Sequence, residues 1–189
     1  MASYKTFNPE LEEMLKEHLP YRLGHLDGLR WASQVVMRRI VNSKICLSLN
    51  GVNPICFSKA RPLTNPLFET GILYCRVLLN FLGIKHDNGK LIPITQHNDL
   101  TIEKFGLQFI TIDELISAPT GSPEKIKQGC INTLFSASKA VAHFKNKEAR
   151  LKSEDSFLCA TTTMWLTEEY VYKKLGRPVP SYRIWPDFK

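Results

Sequence analysis

No run of apolar residues in this chain is long enough to cross a bilayer. The longest, from Gly71 to Ile84, is broken by Arg76 and Asn80 and falls short of the roughly 20 residues that a span requires. The first twenty residues carry Glu10, Glu12, Glu13 and Glu17 without an apolar core, so a secretory leader is not expected. Proline and glycine are sparse, 11 and 10 of 189 residues, which excludes a fibrous or linker-dominated chain. The five cysteines are odd in number and none is spaced C-x-x-C. A disulfide framework is therefore not expected, and a reducing, cytoplasmic setting is.

The common chemical signatures are absent too. Gly89-Lys90 is followed by Leu91 instead of the Ser or Thr of a phosphate loop, and neither G-x-G-x-x-G nor G-x-S-x-G occurs. His18, His25, His86, His97 and His143 form no H-x-x-x-H or H-x-x-E-H pair, and no cysteine stands at zinc-site spacing from them. Neither a metal site nor a cofactor is expected.

What the chain does have is an ordinary globular composition, 43% hydrophobic and 23% charged, enough apolar surface to offset the entropy of folding. Its formal charge of +7 is uneven: residues 21–60 alone carry +5. A local positive field of this kind attracts phosphate or acidic partners, and it also aids solubility.

Hydrophobic spacing predicts four long helices, near 23–43, 66–82, 123–147 and 156–175, with a short amphipathic one from Pro9 to His18. Asn65-Pro66 and Ser122-Pro123-Glu124 read as helix starts, and Gly83 and Gly176 as stops. Between residues 44 and 60, Asn50-Gly51 stands between Ile45-Cys46-Leu47 and Ile55-Cys56-Phe57, so an irregular element or small β-hairpin is expected there. Residues 84–121 are irregular, with a turn at Asp87-Asn88-Gly89 and short helices ending near Gly106 and spanning Ile112 to Ile116. The fold class is therefore mainly α: one domain over residues 1–189, built as a bundle of four long helices. Tyr182, Trp185 and Phe188 give the C-terminal tail enough aromatic area to dock on the body or on a partner.

Glu69, Arg76 and Asn80 are the most informative polar residues. Steps of seven and four put all three on one face of the most apolar helix. Charges there need solvent, a partner chain or a polar network, because burying them unpaired costs several kcal/mol. On a cleft wall, Arg76 would hold an anion and Glu69 would orient it. His143, near a helix C-terminus, and His86, beside Asp87, are the histidines that could join this cluster. His97 and Asp99 form a similar neighbouring pair, whereas Glu168-Glu169 reads as a solvated patch. Arg30, Arg38, Arg39, Lys44, Lys59 and Arg61 form a basic stretch suited to phosphate contacts, with Tyr21 and Trp31 available to interleave.

The Glu69-to-Gly83 stretch, with Arg76 followed by Leu78-Leu79 and Phe81-Leu82, resembles the central helix of small helical prokaryotic proteins, including the HEPN superfamily of RNA-cleaving and nucleotide-binding bundles. That family's signature sets a histidine four to six residues after an arginine. Here nine residues separate Arg76 from His86 and no other arginine meets the spacing, so no catalytic role is carried across. Three functional readings follow. The first is a non-catalytic domain that binds a protein partner or its own copy, with Trp185 and Phe188 in an exposed patch. The others are an RNA-binding or RNA-cleaving bundle and a small-molecule enzyme with an anion-binding arginine.

Overall fold

The computed structural model describes residues 7–48, 54–95, 100–142 and 151–187. Its elements in chain order begin with α1 (Pro9–Glu13), a π-helical segment (Met14–His18) and α2 (Leu19–Met37), which follow one another without a break. The hairpin β1 (Ile45–Leu47) and β2 (Ile55–Phe57) leads into α3 (Arg61–Leu82), and a second hairpin, β3 (Ile84–Asp87) and β4 (Lys90–Pro93), follows directly. A 3₁₀ turn (Ile102–Phe105), α4 (Ile112–Ile116), α5 (Pro123–Ala142), α6 (Ser153–Thr167) and a second π segment (Glu168–Lys173) complete the order. The fold is mainly helical with a small hairpin near residues 44–60, as expected, while the second hairpin replaces the irregular chain expected after Gly83.

α3 lies at the centre, packed on α2, α5 and α6. Leu26 and Leu29 of α2, Leu78, Leu79 and Leu82 of α3, Ile126 and Cys130 of α5 and Cys159 of α6 are fully buried in one cluster. A smaller cluster of Trp31, Ala32, Val35 and Ala60 sits at the other end of α2. Among the described residues no helix is long and apolar enough to cross a membrane.

Several boundaries differ from the sequence reading, each for a physical reason. The predicted helices at Pro9–His18 and from Leu23 are continuous. Pro20 offers no N–H and crowds the carbonyl of the preceding turn, and the backbone widens just before it, with Leu19 N–H donating to the Met14 carbonyl. α2 stops at Met37, short of Ser43, because Arg39 adopts φ 60°. Ile40 N–H then bonds the Val35 carbonyl and Arg39 N–H the Val36 carbonyl, a Schellman motif with arginine where glycine is usual. α3 begins at Arg61, ahead of the Asn65-Pro66 start, and Pro66 is inside the helix. Burial of Ala60 and Thr64 holds that extra turn down. α6 begins at Ser153.

The small β-hairpin near residues 44–60 forms with Cys46 opposite Cys56, and the Asn50-Gly51 turn lies outside the described residues. Direct opposition lets the two cysteines join in a disulfide with their Cα atoms 4.0 Å apart. The expectation of no disulfide is thus overturned. An odd total hides one bridge when the remaining three, Cys75, Cys130 and Cys159, are buried and free. In the second hairpin Asn88 and Gly89 both take positive φ, 46° and 76°, the tight two-residue turn that Asn-Gly favours.

The C-terminal tail docks on the body. Trp185 stacks on Trp31 with ring centroids 4.6 Å apart, and the buried Tyr182 donates its hydroxyl to Glu168. Glu168, expected as part of a solvated patch, instead anchors the tail. Asp27, with no exposed surface, accepts from Arg30 Nε at 2.9 Å and from the backbone N–H groups of Ile184 and Trp185 at 2.9 and 3.0 Å. Asp27→Ala leaves Arg30 buried without its inner partner and frees the tail. Urea unfolding should show a loss of about 3–5 kcal/mol, the range for breaking a buried ion pair from one side. Tryptophan fluorescence should report release of Trp185 at lower denaturant than global unfolding.

Candidate anion site

α3 ends at Gly83, whose φ of 103° belongs to the left-handed region, and the chain reverses there into β3. A side chain at this position would strike Phe109, whose ring lies 2.5 Å from an ideal Cβ. This sharp exit lays β3 beside the last turns of α3, with α5 across from both. The result is a depression of about 110 Å³ lined by Arg76, Asn80, Lys85, His86, Leu134 and Ser138. That is room for roughly four waters at ~30 Å³ each.

The polar groups in this wall are mismatched in a consistent direction. Arg76 and Lys85 bring two positive charges, and among the described residues no carboxylate lines the depression. The His86 ring stands edge-on to Phe135 at 5.9 Å, and its Nε2 is shut off from bulk solvent without a hydrogen-bond partner. A buried imidazole nitrogen left so is destabilising until a partner reaches it. The Ser138 hydroxyl donates to the Leu134 carbonyl at 3.0 Å.

Three of the five residues expected to cluster therefore do so: Arg76, Asn80 and His86. Glu69 is exposed and does not line the depression. His143 lies outside the described residues, as do His97 and Asp99. Lys85 and Ser138 were missed. Adjacency to His86 gives no signal for Lys85, because successive residues of a strand point to opposite faces. Ser138 is exposed on α5.

The basic stretch divides. Arg30 is 6% exposed, and its guanidinium is taken by Asp27, Asp187 and the Trp185 carbonyl. It holds the tail, and its donors are not left for phosphate. Arg38, Arg39, Lys44, Lys59 and Arg61 are exposed. They flank the first hairpin, where Ala60 N–H donates to the Val41 carbonyl at 3.0 Å and draws the two segments together. No acidic residue occurs between Asp27 and Glu69. Arg61 and Arg76 are fifteen residues apart on α3, about 22 Å at 1.5 Å per residue, so this basic end and the depression are separate features. Tyr21 is exposed and Trp31 buried.

Among the other reactive groups, hydrogen bonds from Cys130 and Cys75 push the pKa of the buried Cys159 thiol down. The hydroxyls of Thr161 and Thr163 bond carbonyls one turn back, and that of Thr162 meets Thr120. Burial pushes the Cys75 thiol pKa up, which keeps it protonated in the core. Among the described residues no group of three or more His, Cys, Asp or Glu could hold a metal ion. No protein-family model matches the chain, and no curated protein or solved structure is significantly similar to it.

Away from the depression, His25 stacks on Tyr74 at 4.7 Å, and burial pushes its pKa below the ordinary 6.5. The unfolded chain then takes up this proton before the folded one does. The stability linked to His25 is fully present above pH 6.5 and is lost as pH falls below it. Urea unfolding between about pH 7.5 and pH 5 should show a shallower decline for His25→Gln than for the natural chain. Parallel curves for the two proteins would contradict this assignment.

Proposed function

We propose that this chain binds a phosphate-bearing ligand, with the phosphate seated in the depression between α3, β3 and α5. The observation that carries the reading is the convergence of Arg76, Lys85 and Asn80 with the His86 ring on one depression whose lining, among the described residues, holds no carboxylate. Arg76 offers a planar fork of donors to phosphate oxygens, Lys85 a point charge and Asn80 an amide N–H. The small volume suits one oxyanion and leaves the rest of the ligand outside. A protein-binding or self-associating role draws less support, because Trp185 is occupied by Trp31. Phe188 lies outside the described residues.

The RNA reading draws on two observations: Arg76 and His86 share one depression, and five basic residues are exposed around the first hairpin. There the phosphate would belong to a phosphodiester backbone. Calorimetric titration at low salt with pyrophosphate, and in parallel with a short single-stranded RNA, separates the two. One-site pyrophosphate binding should weaken at least about tenfold in Arg76→Ala, since a hydrogen bond to a charged group contributes about 1.5–3 kcal/mol. Binding that survives Arg76→Ala and His86→Ala but is lost when Lys59 and Arg61 are replaced by alanine would contradict the proposal and favour the basic end.

A further inference from the structure

A second and larger cavity, about 400 Å³, opens on the neighbouring stripe of α3. That volume lies in the range of small-molecule sites. Its walls come from the first π segment and the start of α2, from α3, and from the chain after β4. They are chiefly apolar: Met14, Val77, Leu78, Phe81, Ile94 and Leu100. Val77 is 43% exposed although it sits on the most apolar helix of the chain. Among the described residues that line the cavity, polar character is confined to His18, Arg22, Asn80 and Thr101, and none is a carboxylate.

Of the two basic side chains there, His18 already has a carboxylate at hand, with Nε2 3.4 Å from a Glu13 oxygen. Arg22 has no carboxylate partner among the described residues. Its Nη1 donates to the His18 carbonyl at 2.9 Å, its guanidinium carbon lies 6.0 Å from the Tyr74 ring centroid, and its Nε is shut off from solvent without a hydrogen-bond partner. With Nη1 engaged and Nε enclosed, Nη2 is the guanidinium nitrogen left to meet a carboxylate with a charge-assisted hydrogen bond. The wall that presents Arg22 is also unusual in its backbone. Met14 and His18 are the two ends of a π-helical segment, a widening that is frequent at functional sites.

We infer that this cavity binds an aliphatic monocarboxylate, its chain against Met14, Val77 and Phe81 and its carboxylate on Arg22. The site is distinct from the phosphate seat: Asn80 borders both, but Arg76, Lys85 and His86 border only the smaller depression and Arg22 only the larger. An apolar body fills the walls, and one negative charge meets Arg22, which among the described lining residues is the cation without a carboxylate partner. A second charge on the ligand would face leucine, phenylalanine and isoleucine side chains and is disfavoured.

The test compares decanoate with decanol by amide NMR titration of the full chain. Decanoate should saturate a single site, shift the resonances of Arg22, Val77 and Phe81, and bind at least tenfold more tightly than decanol. In Arg22→Met, which keeps the apolar stem, decanoate should fall to the affinity of decanol while decanol is unchanged. In Arg22→Lys part of the preference should remain. Excess inorganic phosphate should not displace decanoate. Equal affinity for acid and alcohol in the natural chain, absence of saturable binding, or shifts centred elsewhere would each overturn the inference. The comparison within the natural chain decides even if Arg22→Met fails to fold.

Discussion

At Gly71 the backbone of α3 lies so close to α2 that an added Cβ would stand 2.4 Å from the Cβ of Leu29, itself fully buried. At Gly28 an added Cβ would meet the Cδ2 end of Leu67 at 2.8 Å, a softer contact. At Gly71 only hydrogen in place of a side chain permits the approach, and it fixes the crossing of α2 and α3. Once α3 is pinned, its leucines at 78, 79 and 82 are committed to the core. α5 and α6 then close the far side. The edge bearing Arg76 and Asn80 is left facing β3 and α5, and the adjoining stripe with Val77 and Phe81 is left beside the π segment. Both candidate sites are consequences of where one apolar helix runs out of partners.

The tail completes the arrangement. Asp27 holds two backbone N–H groups of residues 184 and 185 together with Arg30, which in turn reaches Asp187. A carboxylate with no exposed surface is tolerable because each lone pair is directed at a donor. This network and the Trp31–Trp185 stack turn the most basic part of the sequence into two parts with different work. Arg30 is structural, and the residues after the Schellman turn at Arg39 remain on the surface.

Much of the fold was legible because it is written locally. Ser122-Pro123 opens α5, Gly83 closes α3, and Asn88-Gly89 turns a hairpin, each through the conformational limits of the residue itself. What was not legible needs distant partners. Arginine in a left-handed cap, Pro66 inside a helix and the π segment before Pro20 are all held by packing that no local pattern shows. Arg30 looked like a surface cation because Asp187 is far along the chain. The Cys46–Cys56 bridge was dismissed on an odd count, although opposition across a hairpin is a more direct criterion than parity. At the site, helical spacing put Arg76 and Asn80 together. The same spacing grouped Glu69 with them, since it carries no information on where β3 and α5 end the depression. Lys85 and His86 became neighbours of that face only through the reversal at Gly83.

The central claim is that the polar edge of α3 and the β3 histidine form one anion seat. Long-range ¹H–¹⁵N spectra of the histidine side chains, recorded with and without pyrophosphate, test it most directly. The account predicts that the His86 ring nitrogens shift with saturation while those of His25, stacked on Tyr74 away from the depression, stay in place. An unmoved His86 at ligand concentrations that saturate the protein would contradict it.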